Sequence, residues 1–208
     1  MMQRIVMCMV VCALGCCRMY AQEYSTGYEF LRVPASAHSA ALGGNAVSVT
    51  EDDATLLFVN PAVLSYVSDN TLNFSYTSYI SSTNKLSASF VKQTGDRGTL
   101  GFGAQVLSYG TMTETNAQME TLGEFSASDI NVQGGYTYLL GERWSGGGQA
   151  KALFSNYGEF NSIAIGVDLG LHYYDSDRGW SVGLVGQNLG GQVKALQDTR
   201  EALPFNLA

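Results

Sequence analysis

The sequence predicts an all-β protein: a transmembrane antiparallel β-barrel with a short helical plug at its N-terminus. Three observations predict this fold. Hydrophobic residues alternate with polar or small ones over much of the chain, only 14% of the residues are charged, and a secretory signal peptide lies at the N-terminus. A soluble domain usually carries about a quarter charged residues. Alternation combined with little charge is typical of strands that face lipid on one side and a polar lumen on the other.

Residues 1–21 are predicted to form the signal peptide. Arg4 precedes an apolar core that is shorter than the about 20 residues a membrane-spanning helix needs, and the small residue Ala21 marks a cleavage point. All four cysteines lie within the first 17 residues, so the mature chain is expected to contain none. Lipidation of Cys16 is the alternative, because Ala13-Leu-Gly-Cys16 partly resembles a lipoprotein processing site. Ala13, however, stands where Leu or Val is expected.

Residues 22–66 are predicted to form the plug, which consists of short helices. The first helix covers Pro34–Leu42 and ends at two glycines, as helices commonly do. A second helix is expected to start after Thr50, with the acidic run Glu51–Asp53 at its N-terminus, and to end before Pro61. The acidic run alone supplies too few oxygen ligands for Ca²⁺, so the helix start is the preferred interpretation.

Residues 67–208 are predicted to form the strands of an incomplete barrel. Seven runs of about ten residues alternate with period two, and each is long enough to cross a hydrocarbon layer at the usual tilt. Tyr and Trp near the ends of the runs are expected to form interfacial girdles on the lipid side. The runs lie at 72–76, 86–90, 100–106, 130–138, 146–157, 163–173 and 180–184, and the girdle candidates are Tyr79, Tyr109, Tyr138, Trp144, Tyr173 and Trp180.

A soluble antiparallel sandwich also alternates and is the competing interpretation of the same runs. The signal peptide, the low charge and the glycines on the polar face favour the barrel. The chain ends on Leu203–Ala208, which looks like the opening of a further strand with no closing strand behind it. Because a barrel is expected to seal its edges, this ending predicts that the sequence is a truncated piece of a longer protein.

The sequence offers no catalytic, cofactor or metal motif, and we expect a protein that is not an enzyme. After the signal peptide, His38 and His172 are the only histidines and no cysteine remains, whereas a zinc site needs three or four converging ligands. The spacing Gly-x-Ser-x-Gly occurs at Gly179–Gly183, but there it lies in an alternating run and not at the turn from a strand into a helix that a nucleophile elbow requires. The net charge of −7 argues against binding to nucleic acid, which requires clustered Lys and Arg.

Three polar residues in the strand region, Lys151, Asp168 and His172, are predicted to face the lumen together. The simpler interpretation is a paired polar interior that fixes the plug, because buried charges are usually paired. The alternative interpretation is a contact for a ligand or for a conducted solute. The strand periodicity alone leaves both open.

Several blocks of this sequence resemble the PorV/PorQ family of Bacteroidota. Phe30–Asn45 is similar to the N-terminus of that family, and Ala41-Leu-Gly-Gly-Asn45 is closer to its PorQ-like members than to its PorV-like members. The next block, Phe58–Leu64, contains Asn60, Pro61 and Ala62, a motif that is also typical of fatty-acid-transporter-like barrels. Further similar blocks are Gly123–Asp129, Gln187–Gln192 and Arg200–Phe205.

The resemblance implies a plugged barrel of about fourteen strands in the outer membrane. It also implies a component of the type IX secretion system, in the complex that processes secreted cargo and attaches it to the cell surface. The implied partners are a PorZ-like surface protein and a sortase-like protease, which carries out the cutting and joining. The alternative function is a fatty-acid-transporter-like channel for hydrophobic small molecules, which is based on the Asn60-Pro61-Ala62 motif.

Overall fold

The computed structural model describes residues 27–116, 118–195 and 201–208. It is an all-β structure in which four short helices precede one antiparallel sheet of eight strands. The predicted signal peptide, with all four cysteines and the candidate lipidation site Cys16, lies outside the described residues. None of the helices in the described part of the chain is long and apolar enough to cross a membrane.

Each strand pairs with its neighbours in the sequence, so the sheet is a simple meander. The seven alternating runs correspond to the seven long strands, and the prediction of these strands is confirmed. Leu203–Ala208 provides the short eighth strand, which pairs with the seventh through Gly186 and Leu207. The strands are β1 (Thr71–Ser78), β2 (Asn84–Thr94), β3 (Gly98–Thr115), β4 (Thr121–Leu139), β5 (Trp144–Tyr157), β6 (Phe160–Asp175), β7 (Trp180–Lys194) and β8 (Asn206–Leu207).

The described sheet is not closed, because β1 and β8 are its two edges and do not pair with each other. It nevertheless curls, since Gln105 on β3 and Gln187 on β7 line the same cavity although three strands lie between them in sheet order. The all-β prediction is therefore confirmed, while a closed barrel is not seen in the described residues.

The predicted strand length of about ten residues is too short for β5, β6 and β7, which have 14 to 16 residues, and differs most from β3 and β4, which have 18 and 19. The register explains the error. Along β3 the pairing with β2 ends at Ser108, and along β4 the pairing with β5 begins only at Ala127, so the β3–β4 hairpin extends beyond both neighbours. Most residues of this extension are exposed, and a ribbon without a buried face leaves no hydrophobic alternation to detect.

The N-terminal segment, residues 27–67, contains three 3₁₀ helices and one α-helix. The α-helix α1 (Ala37–Ala41) begins after Ser36, whose hydroxyl accepts a hydrogen bond from the Ser39 N–H. It is followed by Gly43 and Gly44, both with positive φ, as a helix end requires. The 3₁₀ helices are η1 (Glu29–Arg32), η2 (Ala54–Phe58) and η3 (Pro61–Tyr66).

The second predicted helix is shorter than expected and begins later. Helix η2 starts at Ala54, and Asp53 is its N-cap, with a side chain that accepts from the Thr55 N–H. Glu51 and Asp52 therefore lie before the helix, and the prediction that both stabilise its start is wrong. Asp52 instead accepts hydrogen bonds from Ser68, 16 residues along the chain, an interaction that no local pattern shows.

The two faces of the sheet have inverted polarity. The face that contacts the N-terminal segment, which we call the buried face, carries mainly Ser, Thr, Asn, Gln and charged residues together with small apolar ones. The opposite, exposed face carries large apolar side chains, including Phe74 at 69% and Leu169 at 56% exposure. A soluble half-buried sheet shows the reverse arrangement.

Candidate functional site

The Asn60-Pro61-Ala62 motif forms the link between η2 and η3 and is completely buried. Asn60 is the N-cap of η3, and its Oδ1 accepts from the Ala62 N–H at 2.9 Å. Its Nδ2 donates to the Val47 carbonyl at 2.8 Å. Pro61 follows at the first helical position, where its missing N–H has no cost. Both ends of the Asn60 amide are therefore occupied by main-chain partners, and the motif shapes the N-terminal segment.

Two glycines of the buried face make room for this motif. A Cβ on Gly147 of β5 would lie 2.7 Å from the Pro61 carbonyl carbon, and a Cβ on Gly170 of β6 would collide with the Asn60 side chain. The motif therefore packs backbone against backbone on β5 and β6, which only glycine permits at these positions.

Hydroxyl groups on both sides of Gly147 hold the motif in place. Thr137 of β4 donates to the Pro61 carbonyl, and Ser145 of β5 donates to the Ala62 carbonyl at 2.8 Å. A carbonyl oxygen has two lone pairs and can accept a hydrogen bond from a side chain in addition to one from the main chain. The sheet supplies these additional donors, which requires polar residues on the face that surrounds the motif.

Lys151 and Asp168 both lie on the buried face and form an ion pair of 2.7 Å. The pair belongs to a larger network, in which Asp168 also accepts from Gln149 at 2.5 Å and from the Asn188 N–H at 2.7 Å. Asn188 in turn accepts from Lys151 and donates to the Pro204 carbonyl, both at 2.8 Å. The network joins β5, β6, β7 and the segment before β8.

The same network reaches the N-terminal segment. Gln133 of β4 bonds to Gln149 and to the carbonyl of Leu57 in η2, at 3.2 and 3.3 Å. On the other side, Gln187 donates to the Val59 carbonyl at 2.5 Å. The ion pair is thus connected through side-chain amides to the main chain of the N-terminal segment, and the connection satisfies buried carbonyl groups.

His172 is fully buried on the same face but does not join Lys151 and Asp168. It lies four residues beyond Asp168 on β6, a separation of about 13 Å along an extended strand. Its Nε2 bonds to the Ser181 hydroxyl at 2.8 Å, and its ring contacts Tyr66 edge-on at 5.4 Å. The structure therefore brings together two of the three predicted residues and places the third in a separate contact with η3.

The contact between His172 and Ser181 resembles a base and a nucleophile, but its hydrogen bonds run the opposite way. Ser181 donates its proton to the Ser48 carbonyl, so the Ser181 oxygen must accept from Nε2–H of His172. Nδ1 then carries no proton, and it has no partner among the described residues. A histidine in this tautomer cannot remove the serine proton, which a nucleophilic mechanism requires.

A buried carboxylate that the sequence reasoning missed lies at the other end of the face. Asp129 of β4 is 1% exposed and accepts hydrogen bonds from three hydroxyls, those of Tyr109 at 2.6 Å, Tyr157 at 2.8 Å and Ser155. The prediction that Tyr109 belongs to an outer aromatic girdle is therefore wrong. These residues come from three strands, and only the strand register could have shown that they meet.

The other girdle candidates remain on or near the surface. Tyr79, Tyr138, Trp144 and Trp180 are between 41% and 67% exposed. Trp144 packs against Tyr173 with ring centroids 5.0 Å apart, next to the turn that joins β6 and β7. Aromatic residues at strand ends on an apolar face are the arrangement that a membrane interface favours.

Strand β2 binds the stretch of main chain between η1 and α1. Lys85, 2% exposed, donates to the Val33 carbonyl, and Ser87 donates to the Ala35 carbonyl at 2.5 Å.

His38 lies between two acidic side chains at the surface. The carboxylates of Glu51 and Asp53 are each 3.1 Å from one of its ring nitrogens. Within the described residues no group of three or more His, Cys, Asp or Glu side chains could hold a metal ion.

Comparison of the sequence with protein-family models and with curated proteins finds no match.

Proposed function

We propose that this chain is an outer-membrane β-barrel component of the type IX secretion system. In this role it anchors the surface complex that processes secreted cargo and tethers it to the cell. The proposal has two parts, membrane insertion and partner binding, which are supported by different observations and tested separately.

Membrane insertion is supported by one observation above all, the inverted polarity of the sheet. On β6, five apolar side chains are between 36% and 56% exposed, whereas Asp168 and His172 of the same strand are fully buried. The exposed residues are Ile163, Ile165, Val167, Leu169 and Leu171. In water this arrangement would expose a large apolar surface, which soluble monomers rarely do. In a bilayer it places the apolar side chains in hydrocarbon and the polar ones in the interior.

The partner role is supported by the resemblance to the PorV/PorQ family and by where the similar blocks lie. Gly123–Asp129 ends on the buried carboxylate, and Gln187–Gln192 contains Asn188 of the polar network. Leu203 packs in the apolar cluster with Phe30 and Leu153. Gln187 also donates to the Val59 carbonyl, so two of the similar blocks contact the N-terminal segment, through Gln187 and Leu203. We infer that they maintain a rigid barrel whose loops are presented to a PorZ-like surface protein and a sortase-like protease.

The alternative channel for hydrophobic molecules has less support. It assumes that Asn60 and its neighbours contact a ligand, but Asn60 is 0% exposed and both ends of its amide bind the main chain. The cavity next to the N-terminal segment is lined by several amide side chains. A site for an apolar molecule would be lined mainly by hydrophobic side chains.

Membrane insertion can be tested by fractionation and electrophoresis. We expect the complete gene product to sediment with outer membranes and to migrate differently before and after boiling, since folded barrels resist detergent. Recovery of a soluble protein from the periplasm would contradict this part of the proposal.

Partner binding can be tested by affinity purification of the complete gene product from outer membranes. We expect PorZ-like and sortase-like proteins to co-purify, and we expect deletion of the gene to release attached cargo into the medium. A gene deletion that leaves the attachment complex intact at the surface would contradict the partner role, even if the protein is a barrel.

A further inference from the structure

The β3–β4 hairpin projects beyond the other strands of the sheet. Residues 109–126, which we call the projecting hairpin, pair with neither β2 nor β5. At about 3.3 Å per residue the projection is about 20 Å long. Asn116 fixes its turn, because its Oδ1 accepts from the N–H groups of Gln118 and Glu120 at 3.0 and 2.9 Å. The hairpin is therefore held by hydrogen bonds up to its turn without pairing to another strand.

The charged residues of the projecting hairpin are all acidic. Glu114, Glu120 and Glu124 are exposed, and no Lys or Arg occurs between residues 108 and 128. Within the described chain none of the three forms an ion pair. Charge of one sign favours a partner surface of the opposite sign, and the hairpin therefore favours a basic partner.

The turns at the opposite end of the sheet have a different charge pattern. Each of the three turns there carries an arginine directly after an acidic residue, and Arg143 pairs with Asp175 at 3.1 Å and with Asp177 at 3.3 Å. The three pairs of neighbours are Asp96-Arg97, Glu142-Arg143 and Asp177-Arg178. Charge of a single sign is therefore a property of the projecting hairpin and not of every turn in this acidic chain.

The projecting hairpin also has apolar side chains that the described chain leaves uncovered. Met119, at the turn, is 85% exposed, and Leu122 is 62% exposed. A two-stranded ribbon is at best marginally stable in water. Lipid is a poor cover for this ribbon, because its three glutamates would be costly in hydrocarbon. A protein partner would bury both side chains, and methionine is enriched in such interfaces.

The length of the turns indicates which end of the sheet faces the outside. In outer-membrane barrels the short turns lie in the periplasm and the longer connections reach the cell surface. The three turns opposite the hairpin are short and comprise residues 95–97, 140–143 and 176–179. In the membrane orientation that follows, the projecting hairpin stands on the outer surface of the cell.

The register places acidic side chains on both sides of the ribbon. Glu124 lies opposite Thr113 and Glu114 lies opposite Gly123. Because successive side chains of a strand point to alternate sides, Glu114 and Glu124 point away from each other. A flat partner surface would meet only one of them, whereas a cleft would meet both.

We propose that the projecting hairpin is the docking element for the surface partner, and that this partner is a protein with a basic cleft and an apolar floor. Met119 contacts the floor, and the three glutamates face the basic walls. The inference rests on the proposed secretion role, because it specifies the surface and the partner chemistry through which that role is carried out.

The first test removes the charge of the hairpin. The triple variant Glu114→Gln, Glu120→Gln and Glu124→Gln keeps the side-chain shapes, and an amide at position 120 can still accept from Asn116. Binding of the separately purified PorZ-like partner to the complete gene product in detergent micelles is measured at low and at high salt. We expect binding to weaken at least about tenfold at low salt and the difference to shrink at high salt, where charges are screened.

The matched control makes the same change of charge at the opposite end of the sheet. The triple variant Asp96→Asn, Glu142→Gln and Asp177→Asn also removes three negative charges, and Asp177 loses only an exposed ion pair. We expect this control to bind the partner as the unmodified chain does. Both triple variants should keep the change in migration on boiling that marks a folded barrel.

The second test removes the apolar tip without changing charge. Met119 has a φ of 64°, a left-handed conformation that asparagine tolerates, so Met119→Asn should preserve the turn. We expect binding to weaken about tenfold or more at both salt concentrations, as at a buried interface anchor. The control is Leu140→Asn, at a residue 60% exposed in the β4–β5 turn, and it should leave binding unchanged.

The outcomes separate this inference from the secretion role. If the unmodified chain does not bind the partner, the secretion role and the docking element both fail. If the partner binds the unmodified chain and the hairpin variants equally, the secretion role remains and the docking element is overturned. Equal weakening by the two triple variants would also overturn it, and so would release of the partner by EDTA but not by salt, which would assign the glutamates to bound divalent cations.

Discussion

Neighbouring residues on β5 and β6 point to opposite sides of one sheet and meet opposite surroundings. On the buried face, Gly147, Gln149 and Asp168 contact the N-terminal segment or one another through backbone packing and hydrogen bonds. On the exposed face, Ile165 and Leu169 meet no other part of the described chain that covers them. The buried face is therefore stabilised by specific hydrogen bonds between polar side chains, whereas the stability of the exposed face depends on whether water or lipid surrounds it.

The largest expected effect comes from the glycine next to Pro61. Gly147→Val places side-chain atoms where the Pro61 and Ala62 backbone lies, so the N-terminal segment must move. We expect a loss of at least about 4 kcal/mol in the free energy of unfolding, in the range of severe core substitutions. Urea unfolding in detergent micelles measures it, and limited proteolysis should show early cleavage within residues 27–67.

The matched control is the next residue of the same strand. Gly148→Val points to the exposed face, where the added Cβ would meet only the end of the Leu169 side chain at 3.3 Å and a carbonyl at 3.8 Å. We expect a change of less than about 1 kcal/mol, since valine is favoured in strands. Equal losses for the two variants would contradict the difference between the faces.

The second prediction concerns the ion pair. Asp168→Asn keeps the shape of the side chain but leaves Lys151 as a buried charge without its partner. We expect a loss of about 3 kcal/mol, typical of breaking a buried pair from one side. Replacing both residues, as Lys151→Met with Asp168→Leu, should restore part of this loss. A double variant that is less stable than the single variant would show that the network, and not the unpaired charge, dominates.

The third prediction tests the exposed face. Ile165→Arg should cost about 2 kcal/mol or more when the protein unfolds from lipid vesicles, because the charge enters hydrocarbon. Leu122→Arg, at 62% exposure on the extended β3–β4 hairpin, is the control and should have almost no effect. If Ile165→Arg is also neutral in vesicles, the exposed face does not contact lipid.

The smallest expected effect depends on pH. The hydroxyl and N–H of Ser68, at 2.5 and 2.7 Å, hold the pKa of Asp52 below its usual value of 3.8. A lowered pKa in the folded state means that the carboxylate stabilises the protein at neutral pH, and that this contribution disappears as the pH falls through the lowered pKa. Asp52→Asn should therefore lower the melting temperature slightly at pH 7, and the difference should vanish in acid. A difference that persists there would contradict this origin.

The sequence predicted the strands better than it predicted their contacts. Period-two alternation is a local property, and it located all seven long strands, from Leu72 on β1 to Leu184 on β7. It also placed Lys151, Asp168 and His172 on one face of the sheet, because successive side chains of a strand point to alternate faces. The distance between Asp168 and His172 follows from the same counting, since they are four residues apart on β6. The pairing of Lys151 with Asp168, in contrast, depends on the register between β5 and β6.

The interior partners were missed for the same reason. The hydroxyls around Asp129 and the glycine that receives Asn60 lie on different strands from the residues they contact, so no spacing in the sequence connects them. Nothing in the sequence around Gly170 shows that the N-terminal segment packs against it. Hydrogen bonds from the sheet to the segment join residues as far apart as 164 positions.

These sequence separations have a consequence for the order of folding. Strands that pair only with their neighbours can form as successive hairpins, each closing a short loop. The N-terminal segment is synthesised before the strands, but Pro61 and Ala62 bind residues 76 and 83 positions later, on β4 and β5. Ordering it must wait until those strands exist and must then overcome the entropy of closing long loops. The N-terminal segment, although it is synthesised before every strand, is therefore expected to be among the last parts to reach its final position.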